Sequence, residues 1–245
     1  MHGMNRRYQK LIQEYLGLFP CVVLIGARQT GKSTLMEMVA TDERERFDLE
    51  SRADYDQVAS DPDLFLRLHD KPIAIDEAQI LPELFPALRV AIDKNRQARG
   101  QYLLSGSSSP DLLHAISESL AGRVGVIEIA PFSYSETGGV ARPNLLKLFA
   151  TDDSVTSQLS DWTGRIPEGD QDSLVRYWFR GGYPEPWLEN SERFSEIWTE
   201  QYLQTYVERD VARLFPNLNK VRYRRFIELL AGYSGSILNY SNVAK

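Results

Sequence analysis

The sequence predicts an α/β protein: a three-layer core built on a mostly parallel sheet, followed by a smaller helical domain. Three observations predict it. Short apolar runs alternate with helical patterns through residue 130, the runs are continuous rather than alternating with polar residues, and from residue 171 onward only helical patterns remain. Alternation of strand and helix implies parallel pairing through crossover helices, and continuous apolar runs fit strands covered on both faces.

The elements follow in order. "MNRRYQKLIQEYLGLF" reads as an amphipathic helix, basic at its start but without the long apolar core or cleavage site of a targeting segment. Strands are expected at "CVVLI" (21–25), "RFDLE" (46–50), "PIAID" (72–76), "QYLLS" (101–105) and "VGVIEI" (124–129). Crossover helices are expected at "KSTLMEMVA", "DPDLFLRLH", "LPELFPALRVAIDKNRQ" and "SPDLLHAISESLA". After "PFSYSE" the chain turns rich in Gly, Pro, Asp, Ser and Thr. This bounds a core at 1–137 and a linker or variable insertion at 138–170, with a helical domain at 171–235.

Composition bounds the function. Of 245 residues, 42% are apolar and 25% charged, which is ordinary globular usage. The single cysteine, Cys21, lies in an apolar run and has no internal partner, so a reduced, cytoplasmic protein is expected. His2, His69 and His114 are scattered and give little support to a zinc site. The apolar stretches are one strand long, against roughly 20 residues for a bilayer span, so no membrane is expected. A net charge of -6 argues against a broad nucleic-acid footprint, leaving "KVRYRR" (220–225) as a local basic patch or one solvated helix face.

"GARQTGKST" carries the chemistry. It has the spacing Gly, four residues, Gly, Lys, Ser/Thr, and it stands between a strand and a helix. Gly26 and Gly31 permit a backbone that turns amide N–H groups toward phosphates, and the following helix adds its positive end. Lys32 can reach the terminal phosphates and Ser33 can ligate magnesium. The phosphate-binding segment therefore runs through Gly26, Ala27, Arg28, Gln29, Thr30, Gly31, Lys32, Ser33 and Thr34, and the core reads as a P-loop NTPase.

"PIAIDEAQ" ends a strand in two carboxylates. Asp76 suits the anionic partner of a nucleotide-bound Mg2+, and Glu77 suits the base that deprotonates water. A Glu beside the Asp points to hydrolysis rather than to binding alone or to transfer onto a small-molecule acceptor. In "YLLSGSSSP", Ser105 or Ser107 can hydrogen-bond the γ-phosphate or the attacking water, against the alternative of a serine-rich turn capping the helix at Pro110. Arg123, before the last strand, reads either as an arginine finger or sensor or as a surface arginine at a helix end. "GGYPEPW" reads most simply as a Gly-Pro turn between helices, with a backbone that can also contact nucleotide. In "QYLQTYVERDVARLF", helical spacing sets Asp210 among Leu203, Val207, Val211 and Leu214, a costly place for an unpaired carboxylate.

The motifs "GARQTGKST", "IAIDEAQ", "LLSGSSS", "SLAGRVGVIEIAPFSYSE", "GGYPE" and "YVERDVARL" together resemble a prokaryotic family of AAA-type ATPases with a C-terminal domain of unknown function. The resemblance spans residue 8 to the end. It implies ATP and Mg2+ as ligands and a glutamate-bearing second Walker motif in an ATPase whose cycle moves the helical region. Absence of an Asn-Lys-x-Asp guanine-reading motif agrees with ATP. The alternative is a nucleotide-gated regulatory switch with slow hydrolysis, associated with DNA through a further C-terminal part. Sequences of this family continue through a winged-helix-like segment, so residues 236–245 read as its truncated start. That reading expects "FIELLAGY" to be partly uncovered and prone to self-association.

Overall fold

The computed structural model describes residues 6–40, 44–138, 171–212, 215–233 and 236. They fall into two compact units, Met1–Leu188 and Glu189–Lys245. In the first, β1 (Cys21–Gly26), β2 (Glu45–Asp48), β3 (Ile73–Asp76), β4 (Tyr102–Ser107) and β5 (Val124–Glu128) form one sheet. The order is β2-β3-β4-β1-β5, and every neighbouring pair is parallel.

The apolar run of β1 has a direct cause. Successive side chains of a strand point to opposite faces, and here both faces are covered. Val22 and Leu24 pack with α1 (Tyr8–Leu18) and α2 (Lys32–Val39) through Tyr8, Ile12, Leu35 and Met36. Cys21, Val23 and Ile25 pack on the other face, where α5 (Leu84–Lys94) and α6 (Pro110–Ser119) supply Phe85, Leu88, Leu112 and Ile116. Burial pushes the Cys21 thiol well above its ordinary value, only partly opposed by Arg44, which makes it a core residue rather than a nucleophile. The three layers are therefore helix, sheet, helix.

The chain from β2 to β3 departs from the expected single crossover helix. Two helices follow β2, α3 (Arg52–Ala59) and α4 (Pro62–Leu68), separated by the cap residue Asp61, whose carboxylate accepts from the Leu64 N–H at 2.9 Å. α3 carries no apolar stripe legible in "RADYDQVA". Val58 is its one fully buried side chain, with Tyr55 packed at its edge.

After β5 comes the short helix α7 (Tyr134–Thr137), which opens on a capping box in which Ser133 and Glu136 satisfy each other's backbone. Two helices, Gln171–Arg180 and Pro184–Glu189, follow residues 139–170, and the compact unit with the sheet extends through Leu188. The second unit holds a helix at Glu192–Thr205, N-capped by Ser191, and one at Lys220–Gly232, N-capped by Asn219. Between them Tyr206–Val211 is π-helical. The wider turn shifts residues off the 100° spacing expected there. Val207 and Val211 are buried, and Asp210 is half-buried. Lys220 and Arg224 of the basic stretch pair with Glu208, whereas Arg222 and Arg225 are exposed.

The expected linker at 138–170 and the expected winged-helix start at 236–245 lie almost wholly outside the described residues. Among the described residues, no helix is long and apolar enough to cross a membrane.

Candidate functional site

In this sheet the chain leaves β1 toward β2 on one side, whereas it leaves the adjacent β4 toward β5 on the other, so connections from two neighbouring strand ends run in opposite directions. Such a reversal opens a crevice at the strand ends, and "GARQTGKST" sits there. Gly26 ends β1 opposite Ser107 of β4. Gln29 and Gly31 both have positive φ, 60° and 87°, which curls the loop back over the start of α2. Gly31 takes that conformation without steric cost, whereas Gln29 bears it as strain. Thr30 is buried and its Oγ1 donates to the Ala27 carbonyl at 3.0 Å, pinning the curl. The loop runs directly into α2 at Lys32, whose first turn brings Ser33 to the same crevice.

Lys32 is 5% exposed, and its Nζ donates to the carbonyls of Gly26 (3.1 Å) and Ala27 (2.8 Å). An ammonium has three N–H groups, so one is left for a ligand. Burial holds its pKa below the ordinary lysine value, against the pull of Glu77 and Asp76 in the other direction.

Those two carboxylates stand at the end of β3. Asp76 accepts at Oδ1 from the Glu77 N–H at 3.0 Å and from the Ser105 hydroxyl. Both bonds fall on Oδ1, which leaves Oδ2 for a cation. Ser105 thus departs from its expected role. It is 0% exposed and, from β4, orients Asp76 at the end of the adjacent β3 instead of reaching a phosphate. Ser109 fills the capping role, accepting from the Leu112 N–H at 3.2 Å, and Ser107 ends β4 beside the loop. Ser33, Asp76 and Glu77 line one cleft of about 400 Å³ together with Glu37, Arg46 and Asp48.

A second, apolar cleft opens on the other flank of the same loop. Gly31, Thr34, Leu35 and Met38 form one wall, and Phe132, Pro184 and Leu188 form the other. The "GGYPE" stretch is therefore more than a connecting turn. The Phe132 N–H donates to the Gly182 carbonyl at 2.6 Å, and the Tyr177 hydroxyl donates to the Phe132 carbonyl at 2.7 Å. Sequence reasoning missed Arg6, which braces this corner. It donates to the carbonyls of Thr30 (3.2 Å) and Ala130 (2.8 Å), pairs with Glu136 at 3.2 Å, and lies 4.5 Å from the centroid of the Phe132 ring. Burial raises the Glu136 carboxyl, but the Ser133 N–H, the Arg6 guanidinium and the Ser133 hydroxyl outweigh it and hold the group below the usual carboxylate range. No local pattern in "MNRRYQK" marks Arg6, because its partners lie more than a hundred residues away, apart from Thr30.

Arg123 does not belong to this site. β5 runs parallel to β1 with Val124 opposite Cys21, which puts Arg123 at the N-terminal edge of the sheet, at the opposite end from the loop. There it forms a two-pronged pair with Asp93, both contacts at 2.8 Å, which holds the Asp93 carboxyl below its ordinary value. The finger role toward this chain's own nucleotide is thereby corrected to a structural ion pair. Arg123→Ala is expected to leave kcat and KM for ATP within about twofold of wild type in a steady-state assay. A tenfold loss of kcat at unchanged KM would restore the finger.

Residues 19–138 match the family model of an AAA domain, and residues 171–245 match that of a domain of unknown function (DUF8612). The uncharacterized proteins Rv2008c of Mycobacterium tuberculosis and Mb2031c of Mycobacterium bovis are each 34% identical to this chain over 227 residues. That match covers 92% of this chain and 44% of theirs, so the chain spans less than half the length of these curated relatives. Among solved structures, the Walker-type ATPase PABY2304 of Pyrococcus abyssi aligns with a TM-score of 0.51 at 15% identity, over 93% of this chain and 79% of its own. That likeness is one of fold, and it agrees with the parallel sheet and the loop at its switch point. The chain belongs to the AAA-type P-loop NTPases that carry a C-terminal domain of unknown function.

Proposed function

We propose that the chain binds ATP together with Mg2+ across the phosphate loop and hydrolyses it. One observation carries this reading: Lys32, Ser33, Asp76 and Glu77 converge on the crevice at the end of β1 and β3, although the acidic pair lies more than forty residues from the loop. The donors suit a small hard cation, since the Ser33 hydroxyl and the free Asp76 Oδ2 are oxygen ligands. Such an ion supplies charge neutralisation on the terminal phosphates. Lys32 adds its remaining N–H to those phosphates. Glu77 accepts a proton from the attacking water as the water oxygen bonds to the γ-phosphorus and the bond from that phosphorus to the β–γ bridging oxygen breaks, releasing ADP.

The base is assigned to the other flank. A purine ring is flat and apolar on its faces, and the crevice between Met38 and Phe132 with Pro184 is lined mostly by apolar side chains but holds only about 20 Å³, so its walls must part to admit the ring. Leu188, in that lining, is also the last residue of the first unit. Occupancy of the cleft therefore bears on the segment that leads into the helical unit, the part that hydrolysis would move.

The test is thermal unfolding with ATP and Mg2+, paired with phosphate release. A ligand at about 100 times its Kd stabilises the native state by about 2.7 kcal/mol. Wild-type protein should show that rise in Tm, less of it with GTP, and turnover that disappears on chelation of Mg2+. Lys32→Ala should show neither. An equal Tm rise in Lys32→Ala would remove the phosphate loop from the reading, and turnover that survives chelation would remove the metal.

A further inference from the structure

Glu77 has a left-handed backbone, φ 54°, immediately after β3. The tight turn Ala78–Ile80 follows and brings Gln79 back onto it, where Nε2 donates to Glu77 Oε2. A carboxylate only accepts, so the amide must present its N–H side to Glu77 and its oxygen the other way. Oε1 accordingly faces Gly106 of β4, buried and without a hydrogen-bond donor. A Cβ on Gly106 would lie 2.4 Å from it. Gln79 is thus wedged between Glu77 and the end of β4, one half bonded and the other half orphaned. Buried orphan acceptors are rare in native proteins and call for a reason.

The reason lies in what Glu77 would do without this contact. Its other electrostatic partner is the Lys32 ammonium. A carboxylate drawn onto Lys32 would remove both the proton acceptor and the phosphate ligand from use. We propose that Gln79 is the positioning residue for Glu77, holding the carboxylate off Lys32 and in place for the attacking water. Gly106 is part of the device, since only a residue without a side chain leaves room for the amide. The inference rests on the hydrolysis reading above. It adds a residue that acts only through Glu77, since fixing a reacting group within reach of its target is itself a large part of catalysis.

Gln79→Leu should lower kcat at least tenfold while KM for ATP and the ATP-induced rise in Tm stay within about twofold of wild type. In a Glu77→Gln background the same substitution should change nothing further, because the residue it positions is gone. A merely structural glutamine would instead lower Tm or raise KM along with kcat, not kcat alone. Unchanged kcat in Gln79→Leu, or losses that multiply in the double variant, would overturn the positioning role and leave the hydrolysis reading intact. Absence of wild-type turnover, or full turnover in Glu77→Gln, would overturn both.

Discussion

Glu77→Gln is expected to bind ATP as tightly as wild type and to hydrolyse it at least about 100-fold more slowly. The substitution is nearly isosteric, and the contacts explain why it should not disturb the fold. Gln79 Nε2 currently donates to Glu77 Oε2, and an amide oxygen at that position accepts the same bond. The left-handed backbone of residue 77 is no worse for Gln than for Glu, since both have an unbranched Cβ. Lys32 keeps its two loop carbonyls and loses only one of its two attracting carboxylates. What disappears is the group that takes a proton. Single-turnover phosphate release alongside equilibrium binding of a fluorescent ATP analogue separates the two quantities. Wild-type hydrolysis in this variant would mean that Glu77 is not the base.

Gly182→Ala is expected to cost about 2–4 kcal/mol of stability and to weaken nucleotide binding together with it. A Cβ at Gly182 would lie 2.0 Å from the Phe132 carbonyl oxygen and 3.0 Å from its carbon. These are backbone atoms, and this oxygen already accepts from Tyr177 while the Phe132 N–H is bonded to Gly182 itself. Neither segment can shift without straining the Phe132–Gly182 backbone bond or the bond from Tyr177. Phe132 and Pro184 are also the wall of the apolar cleft, so any shift opens the place assigned to the base. For a chain of this size the loss corresponds to a Tm lower by roughly 5–15 °C. Differential scanning calorimetry with and without ATP measures both effects. A Tm within a degree of wild type would show that the segment adjusts freely and does not define the cleft.

Some of this protein is determined by sequence alone, because the cause is local. "CVVLI" followed by "GARQTGKST" dictates a strand that must be covered on both faces, a curled loop and the start of a helix, since periodicity, glycine placement and capping act within a few residues. The adjacent carboxylates of "IAIDEAQ" are legible in the same way, as a polar end to an apolar run. α3 was less legible, because a helix with one fully buried side chain leaves no stripe in its sequence. The π-helical turn at Tyr206–Val211 was invisible to a 100° reading, because it changes the period itself.

Partner choice belongs to the tertiary structure. Ser105 reads equally well as a phosphate contact or as part of a turn, and it is the parallel register of β3 with β4 that sets its hydroxyl on Asp76, 29 residues away. The register of β5 with β1 carries Arg123 to the wrong end of the sheet for its own nucleotide. Arg6 meets Glu136 across 130 residues, and nothing near either of them announces the pairing. Gln79 is only two residues from Glu77, yet its constraint comes from Gly106 on another strand. Local sequence sets the backbone that each segment prefers. Which side chains then share a dry pocket depends on how strands align, and that alignment is decided by burying the whole sheet at once.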